Sequence, residues 1–284
     1  MSLVASKNQE LEEIEQMNDE IISSAQNPLI KKIRSLKTRK ARVREGAFWV
    51  EGLAPVIEAI DAGWAVQSLV RSPDLLKSKD AIRFLRSVNI NERILSAELF
   101  EKLSDRDGPA GLGAIVSTRD LELSDLEVRS DSLVAILVEP QDPGNLGTII
   151  RTSYCAGVSA VVLVGNSTDP FDPRSVRASM GALFRIPVVR AAGAQDLVRW
   201  ASDEGVRLTG TSSPAHKSYR SAEYGLPQGI VMGNEQKGIP DDVAEACTSL
   251  VSIPMTGTIN SLNLSAAAAI MLYEAAIQNG KHKG

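Results

Sequence analysis

Histidine, cysteine and aromatic residues are scarce in this chain, and each shortage removes a class of chemistry. The only histidines are His216, in a polar loop, and His282, in the C-terminal KHKG. Neither has an evident partner, so zinc centres and Ser–His or Cys–His mechanisms lack their parts, and no metal site is expected. Cys155 and Cys247 lie far apart in unrelated local patterns, which speaks against a disulfide and predicts two separate buried thiols. Aromatics make up 4% of the residues, so the core must be aliphatic. No apolar run approaches the ~20 residues that cross a bilayer. The N-terminal MSLVASKNQELEEIEQMNDE lacks both the apolar stretch of a secretory signal and the arginine-rich character of a transit peptide, and a cytoplasmic protein is expected. Nucleotide fingerprints are missing too. The first strongly apolar run is followed by a loop holding only Gly144 and Gly147, the second ends in LVGNSTDPFDP without a ribose-binding acid, and there is no Walker A loop.

What is present is an uneven distribution of charge. The net charge is −4, yet residues 1–27 hold six acids against Lys7, which leaves the remainder slightly positive. Directly after them, KKIRSLKTRKARVR (31–44) carries eight cations and no acid: Lys31, Lys32, Arg34, Lys37, Arg39, Lys40, Arg42 and Arg44. Such a run suits a polyanion. The spacing of Leu29, Ile33 and Leu36 equally describes one helix with an apolar underside, and the two readings are compatible.

The pattern along 284 residues is α/β in two parts. Residues 1–24 read as a polar extension that screens the basic run. Residues 25–118 alternate short strands (AFWVEG, VQSLVRS, ERILSA, GLGAIVST) with helices (APVIEAIDAG, AIRFLRSV, AELFEKLSD). Residues 119–132 are charged, without a sustained apolar face, and read as a linker. From 133 to 284, LVAILVE, SAVVLVG, VRLTGT, GIVMGN and SLVSIPM read as parallel strands covered on both faces, separated by helices and closed by the helical LSAAAAIMLYEAAIQ. In such sheets ligands bind beyond the carboxyl ends of the strands. Four of these ends carry glycine or hydrogen-bonding residues: PGNLG with Asn145 and then Arg151; Thr211 with Ser212 and Ser213; GNEQKGIP with Gly233 and Glu235; TGTINSLNLS with Ser261 and Asn263. One arginine, one carboxylate and several neutral hydrogen-bonders suit catalysis by orientation and charge placement.

Three segments, LVEPQDPGNLGTIIRTSYCAGVSAVVLVG, GIVMGNEQKGIP and VSIPMTGTINSLNLSAAAAIMLYE, resemble in order the three motifs of the SpoU (TrmH) family of SPOUT RNA methyltransferases. DPRSVRASMGALFRIPV resembles the segment between the first two. The region containing REGAFWVEG resembles the L30e-like substrate-binding domain of the rRNA-modifying branch. The resemblance implies S-adenosylmethionine as donor, an RNA ribose 2′-hydroxyl as acceptor, a homodimer and a C-terminal domain tied in a trefoil knot. It implies that Arg151 acts on the acceptor hydroxyl and that Asn145, Glu235, Ser261 and Asn263 complete the catalytic set. Thr211, Gly233, Ile253, Met255 and Leu262 would line the cofactor, and Arg177 would join the 31–44 cations on RNA. For Asn145, Ser261 and Asn263, turn formation or helix capping is the competing reading. Large-subunit rRNA is favoured over tRNA. A resistance-conferring rRNA methyltransferase and an inactive ribosome assembly factor are the alternatives.

Overall fold

The computed structural model describes residues 21–256 and 261–281. The acidic extension up to residue 20, the segment 257–260 and the last three residues, with His282, lie outside the described residues. The chain divides into two compact units, Met1–Thr118 and Arg119–Gly284.

In the first unit, Asn27 caps α1 (Pro28–Ser35) by accepting from the Leu29 amide, and proline follows at the first helical position. The basic run forms two helices instead of one: Thr38 caps α2 (Arg39–Glu45) by accepting from the Ala41 amide. Ile30, Ile33 and Leu36 are buried, while Leu29 packs at the rim of the same cluster. Then follow β1 (Ala47–Glu51), α3 (Leu53–Asp61), β2 (Val66–Arg71), α4 (Lys79–Arg86), β3 (Glu92–Ile94), α5 (Ala97–Leu103) and β4 (Leu112–Ser117). The sheet order is β1-β4-β2-β3, with β2 and β3 parallel and the other pairs antiparallel.

The second unit is a seven-stranded sheet in which every pair among the described residues is parallel. Its elements are β5 (Leu121–Glu122), β6 (Leu133–Val138), α6 (Pro143–Cys155), β7 (Ala160–Val164), α7 (Pro173–Ser179), β8 (Val188–Ala191), α8 (Ala194–Asp203), β9 (Arg207–Thr211), β10 (Gln228–Met232), α9 (Asp241–Ala246), β11 (Ser249–Val251) and α10 (Leu264–Gln278). The order is β11-β9-β10-β6-β7-β8-β5. β6, β7 and β10 are buried throughout, as their unbroken apolar runs require.

Residues 119–132 do more than link. β5 adds a strand beside β8, and Leu121, Leu123, Leu126 and Val128 pack on the core of the second unit. Those apolar residues are too sparse for a periodic face, and the sheet edge gathers them. β8 itself, from PVVRAA, was not expected, because four residues with an arginine among them give little alternation. Cys155 is exposed rather than buried, since it falls on the outer face of α6; Cys247 is partly buried.

Candidate functional site

The order of the sheet fixes where a ligand would sit. The chain runs outward from β6 through β7 and β8, then returns through β9 to place β10 against the other side of β6. The β6–β10 junction is therefore the point where strand order reverses, and loops leaving it diverge and open a crevice. A cleft of about 570 Å³ lies there, lined by Glu139, Gln141, Asp142, Asn145, Asn166, Asn234, Glu235, Gln236 and Lys237.

The segment PGNLG is the first turn of α6, not a free loop. Asp142 caps the helix, accepting from the Asn145 amide at 2.8 Å, and Pro143 takes the first helical position. Arg174, at the start of α7, holds the same carboxylate at 2.7 Å. The Asn145 amide and the guanidinium keep the Asp142 carboxyl below its ordinary range. Gly147 makes the close approach of α6 to α7 possible, because a Cβ there would lie 2.2 Å from the Ser175 carbonyl oxygen.

Asn145 thus needs no side chain for capping, and its amide faces the other motifs. Its Oδ1 accepts from Asn263 Nδ2 at 3.0 Å, and its Nδ2 donates to Glu235 Oε1 over a long 3.5 Å. Asn263 is also the cap of α10, accepting from the Ser265 amide. Capping and site contact coexist, since the two ends of one carboxamide serve different partners. The result is a directional chain: Ser265 donates to Asn263, Asn263 to Asn145, and Asn145 to Glu235, ending on a carboxylate with acceptor capacity left over.

The loop carrying Glu235 is held from both sides. Asn234 and Gly238 exchange backbone hydrogen bonds, and Asn234 Oδ1 accepts from the amides of Gln236 and Lys237. Asn234 Nδ2 donates to the Glu139 carbonyl at 2.8 Å, which ties the loop after β10 to the end of β6. Lys237 Nζ lies 3.6 Å from Glu139 Oε2. Glu139 has φ 47°, a left-handed conformation rare for a residue with a side chain, where the chain turns from β6 toward α6. At Gly233 a Cβ would lie 2.2 Å from the backbone of Gly238, so no other residue fits that turn. Glu139, Gln141, Asp142, Asn166, Asn234 and Lys237 were missed from sequence. Only Asp142, standing before Pro-Gly ahead of an apolar helix, carried a readable signal, that of a cap.

The remaining expected residues fall into separate places. Thr211 ends β9, Gly233 and Ile253 follow the adjacent β10 and β11, and the Thr211 hydroxyl donates to the Val231 carbonyl. Met255, four residues after β11, and Leu262, just before the cap of α10, are 38% and 40% exposed. Backbone groups at strand ends together with exposed thioether and leucine surface fit a flat heterocycle with polar edges. Ser261 is exposed, two residues before the cap of α10. Arg151 is exposed on α6 without an ion-pair or hydrogen-bond partner among the described residues. It lies six residues after Asn145, about 9 Å along the helix and about a third of a turn away around it, so it is not part of the amide chain. Arg177 is exposed on α7, and His216 is exposed. No group of His, Cys, Asp and Glu among the described residues could hold a metal ion.

In the basic run, one expectation is corrected. Arg42 is 2% exposed and donates to the carbonyls of Leu36 and Lys37, fixing the turn between α1 and α2. It is a structural tie and not a phosphate ligand. Lys37 pairs with Asp105 and Arg44 with Glu45, while Lys31, Arg34, Arg39 and Lys40 are exposed.

An all-parallel α/β unit with an amide–carboxylate cleft at its switch point, following a smaller α/β unit that opens on a run of surface cations, has the architecture of a ligand-binding domain joined to a second unit. The sequence model of the SpoU rRNA Methylase family matches residues 132–273, and that of the MRM3-like substrate binding domain matches residues 27–114. The chain belongs to the SpoU rRNA methylase family. It is 32% identical to the 23S rRNA (uridine(2479)-2′-O)-methyltransferase of Streptomyces viridochromogenes, over 86% of this chain and 87% of that one. It is 30% identical to the 23S rRNA (guanosine(2553)-2′-O)-methyltransferase RlmP of Bacillus subtilis, over 89% and 97%. The structure of an AdoMet-bound rRNA methyltransferase from Sinorhizobium meliloti superimposes with a TM-score of 0.82 at 36% identity, covering 90% of this chain and 97% of that one.

Proposed function

We propose that this protein transfers a methyl group from S-adenosylmethionine to a ribose 2′-hydroxyl of large-subunit rRNA. The observation that carries the reading is the convergence of Asn145, Glu235 and Asn263, drawn from three distant motifs, at the switch point of the sheet. The names of the relatives, both 23S rRNA 2′-O-methyltransferases, support the substrate class.

The cofactor supplies an electrophilic methyl when bound; Thr211, Gly233, Ile253, Met255 and Leu262 would hold it at the ends of β9, β10 and β11. A ribose hydroxyl attacks poorly at neutral pH, so its proton must be drawn away and the developing oxyanion stabilised. Glu235, oriented by the amide chain, accepts the hydrogen bond of the acceptor hydroxyl. Arg151 stabilises the oxyanion as a permanent cation.

Arg151 reaches that oxygen from a second copy of the chain. Tyr154, three residues on along α6, is exposed, as are Met180 after α7 and Tyr273 and Ile277 on α10; α6 and α10 pack together, so these residues support one apolar face for a homodimer. The return of the chain from β11, at the sheet edge, to α10 against α6 and β6 is the path a trefoil knot would take. The exposed members of the 31–44 run and Arg177 bind RNA phosphate. No helix among the described residues is long and apolar enough to cross a membrane. The bacterial 23S rRNA enzymes among the relatives support a cytoplasmic location.

The test supplies methyl-labelled S-adenosylmethionine with rRNA and tRNA from cells lacking this gene. Label in rRNA alone, at one alkali-resistant linkage, is expected, and Asn145→Ala should slow transfer at least about a hundredfold through misplacement of the acceptor. Label confined to tRNA, or at an alkali-labile position, overturns the reading.

A further inference from the structure

The first unit holds a second cleft, lined by none of the residues of the basic run. It measures about 240 Å³ and is lined by Arg71, Pro73, Leu76, Ile82, Leu85, Arg86 and Glu92. β2, α4 and β3 build it: Leu76 and Leu85 are buried and form an aliphatic floor, and Arg71 from the end of β2 is locked to Glu92 of β3 at 2.7 Å. That ion pair is half-buried and uses only Nε of the arginine, so guanidinium N–H donors and carboxylate acceptor sites stand side by side at the rim. Arg86, on the last turn of α4, is exposed and has no hydrogen-bond or ion-pair partner among the described residues. The charge around the cleft has one sign in excess: residues 71–93 carry six cations (Arg71, Lys77, Lys79, Arg83, Arg86, Arg93) against Asp74, Asp80 and Glu92.

We propose that this cleft receives one unstacked nucleobase of the RNA, which rests on the rRNA reading above. An aliphatic floor takes the face of a planar ring. The Arg71–Glu92 pair offers a donor next to an acceptor, the complement of a base edge, and Arg86 meets the flanking phosphate or stacks on the ring. Recognition of RNA sequence works in this way on splayed-out bases in loops and bulges, because the bases of an A-form duplex are out of reach. The volume admits a single heterocycle and excludes a helix or a folded peptide. The site also extends the basic run: Lys32 Nζ donates to Gln67 Oε1 at 3.1 Å near the start of β2, and Arg71 lies four residues, about 13 Å, further along that strand. One RNA strand can therefore touch the cations of α1 and place a base in the cleft.

The experiment measures binding of the full-length protein to a 4-thiouridine-containing single-stranded RNA and to a duplex RNA of equal length. Arg86→Glu changes an exposed charge, and Ile82→Trp fills the cleft. Both variants should lose about tenfold in affinity for the single strand, as expected when one base loses its stacking platform. Ile82→Trp should leave duplex affinity unchanged, and both should keep the wild-type far-ultraviolet circular dichroism spectrum and urea midpoint as a check on folding. Photocrosslinks should map to residues 71–93. Equal losses on both RNAs for Ile82→Trp, or no loss with crosslinks confined to residues 31–44, overturn the base site while leaving the proposed activity intact. Failure of the wild-type protein to methylate rRNA, with cleft-dependent binding preserved, would instead count against the proposed function.

Discussion

At the scale of single residues, two arginines with identical chemistry meet opposite fates. Arg42 spends its guanidinium on the carbonyls that end α1 and open the turn to α2, whereas Arg39 and Lys40, three and two residues earlier, face solvent. Arg42→Ala leaves two carbonyl acceptors without their donor and should lower stability by about 1–3 kcal/mol in urea titration. Lys40→Ala should leave the urea midpoint unchanged and reduce the salt dependence of RNA binding by about one phosphate contact. A chain in which Arg42→Ala weakens RNA binding at full stability would reverse this assignment. Cys247 shows how burial changes a group without giving it a role: its thiol donates to the Val243 carbonyl, and burial pushes its pKa up to about 11.

Among the elements, α6 is the one on which the site depends. Its cap, Asp142, is shared with Arg174 of α7, so the turn bearing Asn145 is fixed at both ends of one carboxylate. Asp142→Ala should cost about 1 kcal/mol of stability, typical for a lost cap, and slow methyl transfer through loss of Asn145 placement. The pH dependence has a defined sign. The folded carboxyl titrates below its ordinary value of 3.8, so its contribution is complete above that value and is lost as pH falls through the lower folded pKa. The stability difference between wild type and Asp142→Ala should therefore be flat from neutral pH down to that value and shrink below it, as measured by chemical denaturation at each pH. Gly147 bears on the same helix pair. Gly147→Ala drives a methyl group toward the Ser175 carbonyl and should destabilise by about 1–3 kcal/mol, read as a lower thermal midpoint.

For the whole molecule, the proposed homodimer offers an answer to the separation of Arg151 from the Asn145–Glu235–Asn263 chain. If a second copy supplies the arginine, subunits carrying Arg151→Ala and subunits carrying Asn145→Ala are each inactive, yet mixed dimers contain one intact composite site. Co-refolded mixtures should regain up to about a quarter of wild-type activity under random pairing of equal amounts, since half the dimers are mixed and each has one of two sites. No recovery in verified mixed dimers would return Arg151 to its own subunit's site.

How much of this could be read from the chain alone follows from the range of the interactions involved. Helical runs such as AELFEKLSD, strand runs such as LVAILV and the parallel α/β class are set within a few residues by hydrogen bonding and apolar periodicity, and they stand in the structure where the sequence put them. The motif residues Asn145, Glu235 and Asn263 were legible as strand-end and cap positions, and the family resemblance gathered them into one site. Their mutual hydrogen bonds were not legible, because they join residues 90 and 118 positions apart. Only the order of the strands, which brings β10 beside β6, sets those distances. The burial of Arg42, the outward face of Cys155, the edge strand in residues 119–132 and the Arg71–Glu92 cleft were likewise decided by tertiary packing. In each case the local sequence allowed either face of the element to turn inward, and the neighbouring elements determined which face did.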